Sequence, residues 1–585
     1  MKKRLSALLA SLLCLLLLTG CSRYSSLPDM LDEQMARIGL AQKRIETIER
    51  DEDSMPRFRD MPYERPALSE LEARIERAAQ AMNAKKPYRE VEALLDECFD
   101  FYYHFDTMYV IADIRCCQNL NDEYYAQEYL WCSENYASLQ QAIDNLYYTC
   151  AASPMAKTLE QKYFWEGFVE QYSDRSQSVY SDEMVALMQA ESALIAEYRA
   201  LSADPVIEWR GKERSINELI QTLSGSAYNQ AVTAYYEQYN ERYADLFIRL
   251  IANREQQAAL LGYDSYEQMQ YLYGYERDYT SEQAALYLED IRQELVPLYR
   301  DLAVSAVPNQ VWIGRVSEAT LRELIGSAAE NIGGKVADAF RFMTDYELCD
   351  LSVDARKANM SFQTYLSDYE APFLFLDADG SSDDILSLAH EFGHYCDAYV
   401  NENAYETIDL AEVYSQAMEY LTLSQLREQL DEDEVENLAR VKMIDTVEMY
   451  VQQASFAAFE HEVYALGAEN LNAEAINEIA RRTAVDYGYY DGYYDAFYAL
   501  SWVDIVHFFE QPFYVVSYPV SNDLAMQIYA LEQAQSGAGT ERYLSSLERD
   551  FTGLMGLVDE GGFQSPFDAG RISAIAALAR EVLGL

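Results

Sequence analysis

Two histidines four residues apart, His390 and His394, lie in the stretch Ser381–Val400 with Glu391 between them. Four residues make slightly more than one helical turn, so on an α-helix both imidazoles project from the same side, about 6 Å apart along the axis. Two imidazoles at this separation can bind one metal ion, and Glu391 would lie beside the metal, where a carboxylate can take a proton from activated water. The spacing therefore predicts a metal site for hydrolysis.

The residues around the two histidines also fit this interpretation. Pro372–Asp377 is short and apolar and predicts a strand, Asp379-Gly380 breaks it, and apolar positions between Ile385 and Phe392 predict a helix over Ser381–Val400. Chance could place the same pattern on an amphipathic helix. With 5 His and 98 acidic residues in 585, however, roughly 0.004 chance matches are expected.

A zinc site of this type needs a third protein ligand and one position left open for water. The residues after His394 lack the further His that some zinc peptidases use, whereas the next predicted helix, Ile408–Leu430, carries Glu412 in its first turns. Glu419 lies two turns further along the same face. We predict that Glu412 is the third ligand and that Glu419 orients a ligand histidine. A solvated helix-face carboxylate is the alternative for Glu419.

A second group of candidate residues follows a Tyr-rich segment, Tyr487–Tyr498, which predicts a mobile aromatic lid. Hydrolysis of a peptide produces a negatively charged oxygen that needs hydrogen-bond donors, and the side chains of His507, Tyr514 and Tyr518 can supply them. The two tyrosines would share a face if their segment is helical. By spacing alone, buried aromatic packing is the alternative.

The N-terminus has the features of an export signal. Lys2–Arg4 precedes an apolar core, Leu5–Leu17, that is short for a membrane span, and Leu18-Thr19-Gly20-Cys21 resembles a bacterial lipoprotein box. This resemblance implies cleavage before Cys21 and a lipid on its thiol, with the protein held at the extracytoplasmic face of the bacterial membrane. The alternative is an ordinary secretory signal, and elsewhere the sequence predicts no transmembrane helix.

The composition is that of a large globular protein, with 50% hydrophobic residues in 585 and a net charge of −53. Such a charge argues against nucleic acid as a partner. Helical periodicity dominates, with a polar break at Ser202–Lys212. We predict a signal peptide over 1–20, a tether or helical stalk over 21–55, an N-terminal helical domain over 56–201 and a catalytic domain over 202–585.

Cysteine usage leaves the disulfide pattern open. Apart from Cys14 and Cys21, seven cysteines remain of the nine, an odd number, so at least one thiol stays unpaired. In an exported protein a disulfide could form among five of them, namely Cys98, Cys116, Cys117, Cys132 and Cys150.

Three segments together resemble the M3 family of zinc metallopeptidases, in particular its oligoendopeptidase F branch. They are APFLFLD…LSLAHEFGH, DLAEVYSQAMEYL and W-x-x-I-x-H-F-F-x-x-P-F-Y-x-x-x-Y. The resemblance implies a mainly α, two-lobed helical zincin with a small β-sheet beside the metal-binding helix and a deep substrate channel that admits short peptides.

The resemblance also implies roles for the residues of this chain. One Zn²⁺ per chain would be bound by His390, His394 and Glu412, with Glu391 as the base. His507 with Tyr514 or Tyr518 would stabilise the oxyanion, and the choice between the two tyrosines stays open. The strand Ala371–Asp377, including the substrate-binding residues Phe373 and Phe375, would pair with the substrate backbone.

The predicted function is that of a zinc-dependent metalloendopeptidase that hydrolyses short peptides at the outer face of the membrane. The alternative is a peptide-binding lipoprotein that has the same scaffold but does not turn over its ligand. The candidate base Glu391 favours the enzyme, because a binding protein needs no general base.

Overall fold

The computed structural model describes residues 55–173, 178–304, 315–401, 407–426, 429–488, 495–549, 551 and 553–585. The predicted signal peptide and Cys21, the tether up to residue 54, and residues 489–494 of the predicted aromatic lid lie outside them. Helices dominate the described residues, which confirms the predicted mainly α fold. Among these helices, none is both long and apolar enough to cross a bilayer.

The first part of the chain forms helices that pack around an apolar core of their own, to which Leu95, Phe105 and Leu146 belong. The helices are α1 (Leu68–Asn83), α2 (Tyr88–Gln118), α3 (Glu123–Ala152), α4 (Ala156–Lys162), α5 (Phe168–Gln171) and α6 (Asp182–Ala203). Helix α6 continues two residues beyond the predicted domain boundary at residue 201, which stays a prediction. The seven cysteines among the described residues are all free thiols.

An antiparallel hairpin follows α6, where the sequence indicated only a polar break. Its strands are β1 (Val206–Trp209) and β2 (Lys212–Ser215), which pair along their whole length. The next helices lead towards the predicted metal site. They are α7 (Ile216–Thr222), α8 (Ser226–Leu260), α9 (Tyr266–Met269), α10 (Ser281–Val304), α11 (Glu318–Ile332) and α12 (Gly334–Asp345).

A small three-stranded sheet lies beside the helix that carries the two histidines, as the sequence predicted. Its strands are β3 (Cys349–Asp350), β4 (Phe362–Leu366) and β5 (Ala371–Phe375), in the order β3-β5-β4. Strand β5 is therefore central, parallel to β3 and antiparallel to β4.

The rest of the described chain is helical, apart from short turns, and surrounds the site. The helices are α13 (Asp384–Asn401), α14 (Ile408–Gln425), α15 (Glu432–Leu466), α16 (Ala473–Asp486), α17 (Asp495–Leu500), α18 (Val506–Glu510), α19 (Ser517–Ala534), α20 (Ala538–Leu547), α21 (Leu554–Gly561) and α22 (Arg571–Leu583). Helix α14 packs between α13 and α19. Its residues from Ile408 to Leu423 are all buried, so it lies inside the protein on every side.

Helices α13 and α14 approach each other most closely at Gly393. A Cβ atom added to Gly393 would lie 2.5 Å from the Cα of Ser415 and 2.7 Å from the carbonyl oxygen of Tyr414. Contacts this short do not occur between real side chains and backbone, so only glycine permits the present separation of the helices. The contact brings the histidines of α13 next to the glutamates of α14.

The segment between α18 and α19 is fixed by two buried ionisable side chains, Arg277 and Glu460. Arg277 donates to the carbonyl oxygen of Phe513 at 2.8 Å and to Ser517 at 2.8 Å, and it lies 3.3 Å from Asp409 at the start of α14. Glu460 accepts the N–H of Phe513 at 2.8 Å. Phe513 has φ = +66°, a left-handed conformation that costs a non-glycine residue about 1–2 kcal/mol. These hydrogen bonds stabilise the turn and so offset the cost of the left-handed conformation of Phe513.

The substitution Gly393→Ala tests the contact between α13 and α14. The added methyl group must push the helices apart, so we expect destabilisation by about 1–3 kcal/mol and weaker metal binding. Gly556 in α21 is the matched control, because a Cβ there meets nothing within 4 Å. Gly556→Ala should be neutral or stabilise by up to about 1 kcal/mol. The melting temperatures of both variants are measured by thermal unfolding. Equal melting temperatures for Gly393→Ala and Gly556→Ala would contradict the close contact between α13 and α14.

The substitution Glu460→Gln tests the anchoring of Phe513 through its pH dependence. Burial raises the pKa of Glu460 to about 8, against the opposing effects of the Phe513 N–H, Arg254 and Arg277. The folded state therefore keeps the proton of Glu460 up to about pH 8, whereas the unfolded state releases it near pH 4.5. The free energy of unfolding that this proton contributes is fully present below pH 4.5 and is lost as the pH rises towards 8. Glutamine keeps the acceptor without a charge.

We therefore expect the stability of the variant, relative to the wild type, to increase between about pH 5 and pH 8. Chemical denaturation at several pH values measures this difference. Parallel pH profiles for the two proteins would show that Glu460 does not titrate in this window.

Candidate metal centre and active site

The structure brings His390, His394 and Glu412 together at the junction of α13 and α14. Their candidate ligand atoms all lie within 4.8 Å of one another. The Nε2 atom of His390 lies 3.6 Å from Oε2 of Glu412, and the Nε2 atom of His394 lies 3.9 Å from Oε1. The three residues that the sequence analysis selected as ligands thus form one cluster.

The cluster fits the size and chemistry of a zinc site. Two ligand atoms bound tetrahedrally to one zinc ion at its usual bond lengths lie about 3.3–3.6 Å apart. The separations of 3.6 Å and 3.9 Å are close to that range. Two imidazoles and one carboxylate are also the donor set of catalytic zinc sites that leave one position open. The residues present therefore fit zinc.

Glu412 is held by hydrogen bonds from three side chains. Tyr514 donates to its Oε1 at 2.7 Å, while Ser415 and Gln416 donate to Oε2 at 3.2 Å and 3.4 Å. The carboxylate is fully buried, and buried charges are tolerated where such bonds satisfy them. Gln416 is itself fixed, because its amide nitrogen also donates to the backbone oxygen of Tyr518 at 3.2 Å.

Glu419 lies on the far side of His390 from Glu412. Its Oε1 is 2.9 Å from Nδ1 of His390, so the imidazole lies between two carboxylates. Burial lowers the pKa of His390, but the bond to Glu419 and the charge of Glu412 outweigh it and raise the pKa to about 9. Burial and the charge of His390 hold the pKa of His394 well below its usual value. The predicted contact of Glu419 with a histidine is thus present.

Glu391 follows His390 directly on α13 and is buried, with 3% of its surface exposed. Its negative charge acts on His390. Because successive residues on a helix point in different directions, Glu391 lies beside the ligand cluster and not in it. A carboxylate in this position can exchange a proton with a molecule bound at the cluster.

His507, Tyr514 and Tyr518 form a second group of side chains that reaches the cluster. Their ring centroids lie 5.3–5.9 Å apart in pairs, and Nε2 of His507 is 3.3 Å from the hydroxyl of Tyr518. Tyr514 precedes α19 and Tyr518 lies within it, so the two do not share a helix face. Burial lowers the pKa of His507 to about 4, which makes the imidazole neutral at pH 7.

The short helix that carries His507 is anchored from outside the site. Arg254, on α8, is fully buried and donates to the backbone oxygens of Phe508 and Phe509, and its charge is paired with Glu191 at 2.6 Å. These bonds fix the backbone immediately after His507. The position of the imidazole is therefore set by a buried network and not by a surface loop.

The predicted substrate contacts on β5 disagree with the structure. Phe373 and Phe375 are fully buried and pack in the core, with ring centroids 4.3 Å from Phe58 and 5.0 Å from Phe362, respectively. Strand β5 is also central, so β3 and β4 already use much of its hydrogen-bonding capacity. Strand β4 is the edge strand on its side of the sheet in the described residues and is the better candidate for backbone pairing with a ligand.

Two positioning contacts were not found by sequence reasoning. The bond from Tyr514 to Glu412 joins residues 102 positions apart, and Lys442 on α15 pairs with Glu419 at 2.5 Å. Neither pair has a spacing that indicates contact. Nothing in the sequence indicates that Lys442 lies mostly inside the protein, with 12% of its side chain exposed, because charged positions on helices are usually solvated.

Comparison with protein families gives two matches on this chain. Residues 58–169 match the Peptidase M3 N-terminal domain, and residues 334–549 match Peptidase family M3. The second segment contains all the candidate ligands and the group around His507. A search of curated proteins gives no match.

Solved structures share the fold. An oligoendopeptidase F structure aligns with a TM-score of 0.74 at 21% identity, covering 90% of this chain and 99% of that chain. PZ peptidase A with an inhibitor aligns with a TM-score of 0.75 at 22% identity, with coverages of 90% and 99%. An oligoendopeptidase F from Bacillus anthracis aligns with a TM-score of 0.72 at 22% identity, with coverages of 90% and 98%.

Both matched segments belong to one family, and together they span more than half of the chain. The fold agrees with solved oligoendopeptidase F structures over nine-tenths of the chain. Residues 58–169 of this protein therefore match the Peptidase M3 N-terminal domain, and residues 334–549 match Peptidase family M3, within a fold shared with solved oligoendopeptidase F structures.

Proposed function

We propose that this protein is a zinc-dependent endopeptidase that hydrolyses short peptides. The observation that carries the proposal is the cluster of His390, His394 and Glu412, whose ligand atoms lie within 4.8 Å of one another, with Glu391 directly beside it. A binding protein would not need a buried carboxylate next to a cluster of metal-ligating side chains. The M3 family domains support the same class of reaction.

His390, His394 and Glu412 would hold the zinc ion. When bound, zinc supplies Lewis acidity, which lowers the pKa of water at the site and polarises the scissile carbonyl group. Glu391 takes the proton of the attacking water and then passes it to the leaving amine. Its burial favours the first step, because a poorly solvated carboxylate accepts a proton more readily than one in water.

The developing oxyanion needs donors from the protein. Tyr518 fits this task better than Tyr514, because the hydroxyl proton of Tyr514 is already donated to Glu412. His507 is neutral at pH 7 and lies 3.3 Å from the Tyr518 hydroxyl, so it can orient that hydroxyl or donate its own N–H. We assign Tyr514 to the positioning of Glu412 and Tyr518 with His507 to the substrate.

The N-terminal sequence supports a location for this activity. The run that ends in Leu18-Thr19-Gly20-Cys21 resembles a lipoprotein box, and we propose that a lipid on Cys21 anchors the protein at the extracytoplasmic face of the bacterial membrane. Substrates would then be short peptides outside the cytoplasm. The net charge of −53 disfavours direct adsorption to anionic lipid, which leaves the anchor to hold the protein.

The direct test uses purified full-length protein and a library of quenched fluorescent peptides, with zinc content measured in the same sample. We expect internal cleavage of short peptides, one zinc ion per chain and loss of activity with a chelator. Bound zinc without cleavage of any peptide would favour a peptide-binding protein. A protein that binds no zinc would refute the proposed site.

The matched variant in this test is Glu391→Gln. It should retain one zinc ion per chain, because Glu391 is not a ligand, and its turnover should fall by about 10²-fold to 10⁴-fold, the usual contribution of a general base. Cleavage at close to the wild-type rate would contradict the assigned role of Glu391.

The variants Tyr514→Phe and Tyr518→Phe separate the two tyrosines. Loss of the Tyr514 hydroxyl removes a bond to a metal ligand, so zinc affinity should fall by about 10-fold to 100-fold. Loss of the Tyr518 hydroxyl should leave zinc affinity unchanged and lower kcat by about 10²-fold to 10³-fold. Zinc titration and kcat at saturating zinc give both quantities. A kcat of Tyr518→Phe equal to that of the wild type would contradict the assignment of Tyr518 to the oxyanion.

A further inference from the structure

Lys442 has its charged group inside the protein next to the proposed metal centre. Its Nζ atom lies 2.5 Å from Oε2 of Glu419, and its side chain is 12% exposed. The other oxygen of Glu419, Oε1, lies 2.9 Å from Nδ1 of His390. A line of direct contacts therefore runs from α15 through α14 to a candidate ligand on α13.

We propose that Lys442 is a positioning residue of the metal centre, which holds Glu419 in the orientation that fixes the imidazole of His390 for metal binding. The inference rests on the zinc-dependent function proposed above. It extends that function to a residue outside the ligand cluster, on a helix that contributes no ligand.

The two oxygens of Glu419 contact different partners. A carboxylate can only accept hydrogen bonds, so Oε1 requires that Nδ1 of His390 carries a proton, which leaves the lone pair of Nε2 for the metal. Nε2 points to the ligand cluster, 3.6 Å from Oε2 of Glu412. The second oxygen of Glu419 needs a partner of its own, and Lys442 provides it with the compensating charge.

A buried carboxylate without a nearby cation is strongly disfavoured, whereas a buried ion pair adds little net stability compared with apolar packing. The Lys442–Glu419 pair therefore affects the orientation of the Glu419 carboxylate more than the stability of the protein. With Lys442 absent, Glu419 would turn towards another donor, and this change would weaken its hold on Nδ1 of His390.

Lys442 is itself held by a rigid environment. Its Nζ lies 5.1 Å from the ring centroid of Tyr420 on α14. The hydroxyl of Tyr420 is 2.8 Å from that of Thr446, one turn further along α15, and 3.2 Å from Oδ1 of Asn522 on α19. The ammonium group is thus placed by three helices, which is the support that a precise second layer around a metal requires.

The test is the zinc dissociation constant, measured by competition with a chromophoric chelator in full-length protein. We expect Lys442→Met, and Lys442→Gln as a second variant in case the first does not fold, to raise this constant about 10-fold to 100-fold. The double variant Lys442→Met/Glu419→Gln should bind zinc no more weakly than Glu419→Gln alone, because Lys442 acts through Glu419.

Lys357→Met is the matched control. Lys357 is also a buried lysine, with Asp350 at 3.0 Å and the backbone oxygen of Leu376 at 2.7 Å, but none of its bonds reaches the metal cluster. Its loss should lower the melting temperature without changing the zinc dissociation constant. An equal loss of zinc affinity in this control would show that the Lys442 effect is general destabilisation and would overturn the proposal.

Two further results separate this inference from the proposed function. If the wild type binds zinc and cleaves peptides while Lys442→Met and Lys442→Gln bind zinc as tightly, only the role of Lys442 is refuted. If the wild type binds no zinc, both proposals are refuted together. An effect of Lys442→Met that persists in full on top of Glu419→Gln would also overturn the role assigned to Lys442.

Discussion

The contact between α13 and α14 at Gly393 is the constraint on which the site depends. The backbone of α14 lies where the side chain of any other residue would be, 2.5 Å from an added Cβ. This distance lets a carboxylate on one helix reach two imidazoles on the other. Ser415, whose backbone makes the contact, also donates to Glu412, so the closest point between the helices and the support of the third ligand coincide.

Because α14 lies inside the protein, its charged side chains need partners there. Asp409 is paired with Arg277, and Glu419 is paired with Lys442. Glu412, between them in sequence, is held by neutral donors, which leaves its charge for a metal ion. The arrangement follows from elementary electrostatics, because buried carboxylates persist where a cation or several hydrogen bonds stabilise them.

The same buried arginine that pairs with Asp409 also holds the carbonyl group of Phe513. The turn that follows α18 is thus tied to the start of the helix that carries Glu412. Because Tyr514 is the next residue after Phe513 and donates to Glu412, a displacement of α14 would move the ligand and the tyrosine together. The candidate metal cluster and the aromatic group are therefore held by one network of contacts.

Much of the site could be predicted because its signals are local. His390 and His394 are one turn apart on one helix, and Glu412 and Glu419 share a face of the next. The central position of β5 could not be predicted, because its partner β3 has only two residues. The left-handed conformation of Phe513 is rare for a residue with a side chain, so the sequence did not indicate that Tyr514 precedes the helix that contains Tyr518. Lys442 has no local signal, since its partner lies on another helix.

The most direct test of the proposed metal centre is the anomalous X-ray diffraction of zinc-loaded crystals, recorded above and below the zinc absorption edge. We expect one anomalous peak per chain, within bonding distance of His390 Nε2, His394 Nε2 and the carboxylate of Glu412. A peak elsewhere, or none at this cluster in protein that carries zinc in solution, would show that the junction of α13 and α14 is not the metal centre.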